Sequence, residues 1–122
     1  MPFESYRDLV FWQKSVDLAV DVYRLTRDFP PGERFGMTAQ VRRAAMSISN
    51  NIAEGHGRAT RGEFLNALSV AHGSANEVEN CLLVSQRLEF VTGAAIRPLL
   101  TLICEIRRMM ASFRVQLRKR GP

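Results

Sequence analysis

Apolar residues recur at three- and four-residue spacing in four stretches of this chain, each bounded by proline, glycine or a capping residue, and the pattern predicts four helices. In the first, over about 6–28, Leu9, Trp12, Val16, Ala19, Tyr23 and Thr26 form one heptad stripe, and Phe11, Leu18, Val22, Leu25 and Phe29 form a second beside it. A single small bundle needs one broad apolar face, so the second stripe is available either for deep burial or for contact with another subunit. Pro30, Pro31 and Gly32 stop this helix, because proline lacks the amide that continuation requires. The second helix, over about 37–54, sets Val41, Ala44, Ile48 and Ile52 on one face and Arg42, Arg43, Ser47, Asn50 and Asn51 elsewhere, with Gly55 as its end.

Residues 54–60 then read as a turn, and Thr60 with Glu63 reads as a capping box for a third helix over about 61–88. Its stripe is Phe64, Leu68, Ala71, Ala75, Val78, Leu82 and Ser85. Gly73 lies inside it at a cost of about 1 kcal/mol relative to alanine, which suggests room for a close helix contact. The fourth helix, over about 93–118, has Thr92 as its N-cap and a strict seam of Ile96, Leu99, Ile103, Ile106, Met110, Phe113 and Leu117. Pro98 falls in its first turn, where proline is tolerated. Four helices with short connections and no strand pattern imply an all-α fold, an antiparallel up-down-up-down four-helix bundle, with residues 1–122 forming a single domain.

The segments FESYRDLVFWQKSVDLAVDVYRLTRDFPPGERFGMTAQVRRAAMSISNNIAEG and EFLNALSVAHGSANEVEN carry a resemblance. The Arg-Arg-Ala-Ala, Asn-Ile-Ala-Glu-Gly and Gly-Ser-x-x-Glu pieces occur in order, and with them the chain resembles the four-helix-bundle family encoded by intervening sequences of large-subunit ribosomal RNA genes. That family also includes accessory proteins of diversity-generating retroelements. The resemblance implies the same bundle, assembly as a ring-like homopentamer, and a setting beside either ribosomal RNA or a reverse transcriptase. It brings no defined biochemical activity with it.

Charge sharpens the picture. The net formal charge is +5, and residues 1–33 hold four bases and six acids, 34–61 five and one, 62–96 one and four, and 97–122 seven and one. Fifteen of the seventeen bases are arginine, whose planar fork suits phosphate oxygens. The bases expected to meet solvent are Arg42, Arg58 and Arg61 around the second turn, and Arg107, Arg108, Arg114, Arg118, Lys119 and Arg120 on the fourth helix. Arg107, Arg114 and Arg118 align along one flank of that helix. A solvated face explains such a stripe, and so does phosphate-backbone binding of RNA or DNA. No aromatic residues interleave these bases, so binding is expected to be weakly sequence-specific. Arg43 is expected to pair with Glu77 or Glu54 and fix helix register, ahead of binding a ligand directly.

Catalysis finds no foothold in these residues. His56 and His72 lack a second ligand at metal spacing, and Glu54 with His56 does not make the Glu-x-x-His pattern of di-iron bundles. Ser47, Ser49 and Ser74 have no activating context, and Gly55, Gly57 and Gly62 lack the remainder of a phosphate loop. Cys81 and Cys104 read as two buried helix thiols in a reducing compartment. No stretch is apolar enough to span a membrane, and the start of the chain does not read as a signal peptide. The sequence therefore suggests a cytoplasmic, non-enzymatic homo-oligomer without metal or cofactor, presenting basic surfaces to nucleic acid. A scaffold for a protein partner such as a reverse transcriptase is the alternative.

Overall fold

The computed structural model describes residues 5–120. Ser5 opens a short 3-10 turn, Tyr6–Asp8, through a complete capping box: its Oγ accepts from the Arg7 amide (3.1 Å), and the Asp8 carboxylate accepts from the Ser5 amide (3.3 Å). Leu9 is then extended, so α1 (Val10–Thr26) begins at Val10 and not at Tyr6. A second 3-10 turn, Pro31–Glu33, leads into α2 (Met37–His56). There the Glu33 carboxylate accepts from the Met37 amide (3.0 Å), supplying a partner that Gly36, with no side chain, cannot. α3 (Arg61–Arg87) and α4 (Gly93–Lys119) complete the fold, and no strand occurs among the described residues.

Each helix packs against its neighbours in sequence and α4 closes back onto α1, which makes a four-helix bundle. Cross-helix pairs give the directions. Phe11 meets Phe113 and Lys14 meets Glu105, Ser47 meets Ser74 and Gly55 meets Ala67, and Gln86 lies against Gly93 while Glu79 reaches Arg107. Rising numbers on one helix meet falling numbers on the next, so α4 runs antiparallel to α1, α3 to α2 and α4 to α3.

The apolar faces read from the sequence fill the core. Val41, Ala44, Ile48 and Ile52 of α2, the whole α3 stripe and all of the α4 seam except the half-buried Phe113 are buried. Both α1 stripes turn inward. Phe11, Leu18, Val22 and Phe29 are buried, and Leu9, Ala19 and Thr26 join them. Deep burial within the bundle thus accounts for most of the doubled stripe and leaves Tyr23, 41% exposed, on the outside, where Val20 of α1 and Met46 of α2 are also exposed.

The closest helix approach is at Gly55, not at Gly73. A methyl group on Gly55 would stand 2.6 Å from the Ala67 Cβ and 2.9 Å from the Phe64 ring, whereas one on Gly73 would meet nothing within 4 Å. The neighbouring Ser47 and Ser74 hydroxyls, 2.8 Å apart, tie the same two helices together further along.

Thr60 caps α3 as expected, its hydroxyl accepting from the Glu63 amide (3.1 Å), but the Glu63 carboxylate makes no return bond, so half of the expected box is present. At the other end of α3, Glu89 takes a left-handed conformation (φ 63°) that glycine ordinarily supplies. Its amide bonds to the Gln86 carbonyl (3.0 Å) and the Phe90 amide to that of Ser85 (2.9 Å), a Schellman closure that delivers Phe90 to Phe29.

The two glycines should respond in opposite directions to alanine. At Gly55 overpacking costs roughly 1–3 kcal/mol, so the thermal midpoint should fall. At Gly73 the helix gains about 1 kcal/mol with nothing to displace, so the midpoint should rise, and calorimetry on the pair reads both signs. Thr60→Ala should cost about 1 kcal/mol in chemical denaturation with an unchanged helical spectrum.

Candidate nucleic-acid interface

Helix directions bring the two basic segments of the sequence to one end of the bundle. The turn after α2 carries Arg58, α3 opens with Arg61, and α4 finishes there with Arg118 and Lys119, followed by Arg120. The Arg61 guanidinium donates to the backbone carbonyl of Arg120, joining the turn to the end of α4. Beneath them lies an aromatic layer in which Phe113 meets Phe11 (5.2 Å between centroids) and Phe64 (5.7 Å), while His56 stands edge-on to Phe64 (5.9 Å). This layer closes the core at that end and gives the charged turn a rigid base. Arg58, Arg118, Lys119 and Arg120 are exposed. Bases in the last turn of α4 also face the negative end of its dipole, a favourable placement whatever else they do.

The other expected interface residues are placed differently. Arg42 is half-buried between α1 and α2: its Nε donates to Thr26 Oγ1 (2.8 Å), its Nη2 to the Tyr23 carbonyl (3.3 Å), and its guanidinium lies 4.5 Å from the Tyr23 ring centre. It holds two helices together and does not project into solvent. Arg107 is likewise committed, as a bidentate partner of Glu79 (both bonds 3.0 Å) and a donor to Asn76 (2.8 Å), locking α4 to α3. The hydrogen bonds to Glu79, ahead of any other influence, raise its pKa further above the ordinary arginine value. Arg114 is half-buried, with its Nε enclosed and without an acceptor among the described residues. The expected stripe of Arg107, Arg114 and Arg118 is therefore not a uniform solvent-facing flank, and its exposed member is Arg118. Arg108 is exposed midway along α4, away from the basic end.

The expected polar pairing of Arg43 is absent. Arg43, Glu54 and Glu77 are all exposed, and no ion pair joins Arg43 to either acid among the described residues. Register is held instead by Arg107 with Glu79 and by Lys14 with Glu105 (2.9 Å), pairs too far apart in sequence for helix spacing to reveal. Glu77 acts on a different neighbour. Burial first, and the Glu77 charge second, push the Cys81 thiol pKa upward, which keeps that buried thiol protonated. Cys104, expected to be buried, is exposed beside Arg107.

Glu54 belongs to a different arrangement that sequence reading did not find. Together with Asn51 and Arg58 from α2 and the turn, and Glu63 and Asn66 from α3, it lines a polar groove of about 370 Å³ whose apolar part is Ala67 and Val70. Asn51 is held in place because its Nδ2 donates to the Ser47 carbonyl (2.8 Å) and hydroxyl (3.0 Å). Among the described residues no three of His, Cys, Asp and Glu come together as metal ligands, and no helix is long and apolar enough to cross a membrane.

Residues 7–112 match the pattern of the 23S rRNA-intervening sequence protein family. The chain belongs to this family. Similar folds occur among solved structures, including a protein with unknown function from the S23 ribosomal protein family of Bacteroides thetaiotaomicron VPI-5482. It is 28% identical, has a TM-score of 0.76, and the alignment covers 84% of this chain and 96% of that one. No curated protein matches. Membership accounts for the bundle and for the order of its motifs, and the site residues stand on geometry alone.

Arg107→Gln should remove the bidentate bond and lower stability by about 0.5–1 kcal/mol, the range for a partly exposed pair. Adding Glu79→Gln should then cost little more, because its partner is already gone, and a double-mutant cycle in urea measures that coupling.

Proposed function

We propose that this family member is a non-enzymatic, single-domain cytoplasmic bundle that associates with copies of itself and holds nucleic acid through phosphate contacts at its basic end. The observation that carries this reading is the bond from Arg61 to the Arg120 carbonyl, which ties the start of α3, next to the turn with Arg58, to the end of α4, where Arg118 and Lys119 are exposed. Bases separated in sequence by more than fifty residues would thereby act together on one anionic partner. The family's name, which attaches it to intervening sequences of 23S rRNA, makes RNA the natural candidate. Self-association is supported by the apolar groove between α1 and α2, where Val16, Val20, Tyr23 and Met46 remain in contact with solvent. A ring of five copies, as the resemblance implies, would repeat the basic end and multiply weak contacts through effective concentration.

A second reading rests on the end of α3 away from the basic end, where Leu83, Val84 and the C-cap residue Leu88 are exposed. Such a strip suits a protein partner, a reverse transcriptase in a retroelement setting, and the chain would then act as a scaffold.

Light scattering after size exclusion should give a multiple of 13.8 kDa, with five as the expected factor. In mobility-shift titrations at two salt concentrations, replacing Arg58, Arg118, Lys119 and Arg120 together by glutamine should weaken binding to unrelated sequences alike. The slope of log affinity against log salt should fall by roughly 0.7–0.9 for each phosphate that is no longer neutralised. Wild-type protein that binds neither RNA nor DNA at low salt would leave the scaffold reading in its place.

A further inference from the structure

The groove beside the basic end has the wrong charge for a phosphate site and the right chemistry for a base. Glu54 and Glu63 present two carboxylates there, and neither makes an ion pair or a side-chain hydrogen bond among the described residues. Arg58 lines the same groove without closing onto either acid. The Asn51 amide nitrogen is already used by Ser47, which leaves its oxygen as an additional acceptor. Acceptors therefore outnumber donors in a concave site with an apolar patch of Ala67 and Val70, within the size range of small-molecule sites (about 300–1,000 Å³). Two carboxylates next to a polyanion repel it unless they receive hydrogen bonds from it.

We propose that this groove takes an unpaired guanine base from a strand whose phosphates rest on the basic end. Guanine is the base that presents two adjacent donors on its Watson–Crick edge, N1–H and the N2 amino group, and one carboxylate accepts both. Its O6 and N7 are acceptors that suit an arginine or an amide donor, here Arg58 and Asn66. Glu54 is the carboxylate that receives the base, since Asn51 lies one turn before it on the same face of α2 and Arg58, in the turn that follows α2, lines the groove beside it. The alternative donor-rich ligand, an arginine or lysine side chain of a protein, is disfavoured by Arg58 inside the groove. The proposal rests on the nucleic-acid reading above and adds a base preference to it.

The test uses the intact protein and a fluorescent single-stranded RNA of about ten uridines, with the central position as uridine, adenosine, guanosine or inosine. Anisotropy should show the guanosine strand binding roughly tenfold tighter than the uridine and adenosine strands, as one bidentate base contact allows. Inosine, which lacks the N2 amino group, should forfeit most of that gain. In Glu54→Gln, checked for an unchanged helical spectrum, the guanosine preference should disappear. Equal binding of all four strands by the wild type would overturn the base site while leaving phosphate binding intact. A guanosine preference that survives Glu54→Gln, or disappears only in Glu63→Gln, would overturn the assignment to Glu54. Failure of every strand to bind at low salt, or capture of an arginine-rich peptide instead, would overturn this proposal together with the reading beneath it.

Discussion

The close approach of α2 and α3 is the constraint on which the rest of the arrangement depends. Gly55 sits where any Cβ would strike Ala67 and Phe64, and the Ser47 and Ser74 hydroxyls meet further along the same interface. Small side chains let the backbones come near enough for these contacts, and an interior packed to this density does not yield to added volume. Because the helices converge there, the link between them is short, and Thr60 caps α3 almost at once after α2 ends. Arg58 and Arg61 thereby lie at the end of the bundle that Phe64 closes, its ring continuing through Phe113 to Phe11. Loosening α2 from α3 would move the charged turn away from the end of α4.

The fold also divides the arginines into two groups by what they can reach. Arg42 and Arg107 have acceptors on a neighbouring helix, and each commits several donors there. A guanidinium held this way is a rigid strut between elements, since its planar fork loses little freedom per bond formed. Arg58, Arg118 and Lys119 are exposed at the same end of the bundle, so each raises the local potential. Exposed charges of this kind are screened within about 8–10 Å at moderate salt, so only charges clustered at one end add their potentials. Repetition of that end in an oligomer would extend the effect.

Periodicity made the four helices and nearly all of their core faces legible, because burial imposes the same spacing on any amphipathic helix. It could not show which partner a residue meets across the bundle. Arg107 has the spacing of a solvent-facing stripe, and only the fold places Glu79 and Asn76 opposite it. Gly73 and Gly55 carry the same propensity cost, and only the neighbouring helix reveals that Gly55 is the one filling a steric need. Arg43 has acids at plausible spacing, yet no ion pair forms with them among the described residues. The start of α1 is hidden in the sequence because a Ser5–Asp8 box builds a separate turn that has the composition of a helix start. Glu89 gives no signal because its left-handed conformation is held by Schellman bonds and the Phe90–Phe29 contact, without the glycine that usually marks such a position. The polar groove is invisible to motif reading since its residues come from two helices and carry no motif.

Hydrogen exchange with and without a short single-stranded RNA tests the placement of the interface most directly, because the two ends of the bundle are distinct in sequence. The expected result is slowed exchange over 57–63 and 114–120, with residues 87–93 at the opposite end unaffected. Protection confined to 27–36 and 87–93, or no protection anywhere at low salt, would contradict a nucleic-acid interface at the end formed by Arg58, Arg61 and the last turn of α4.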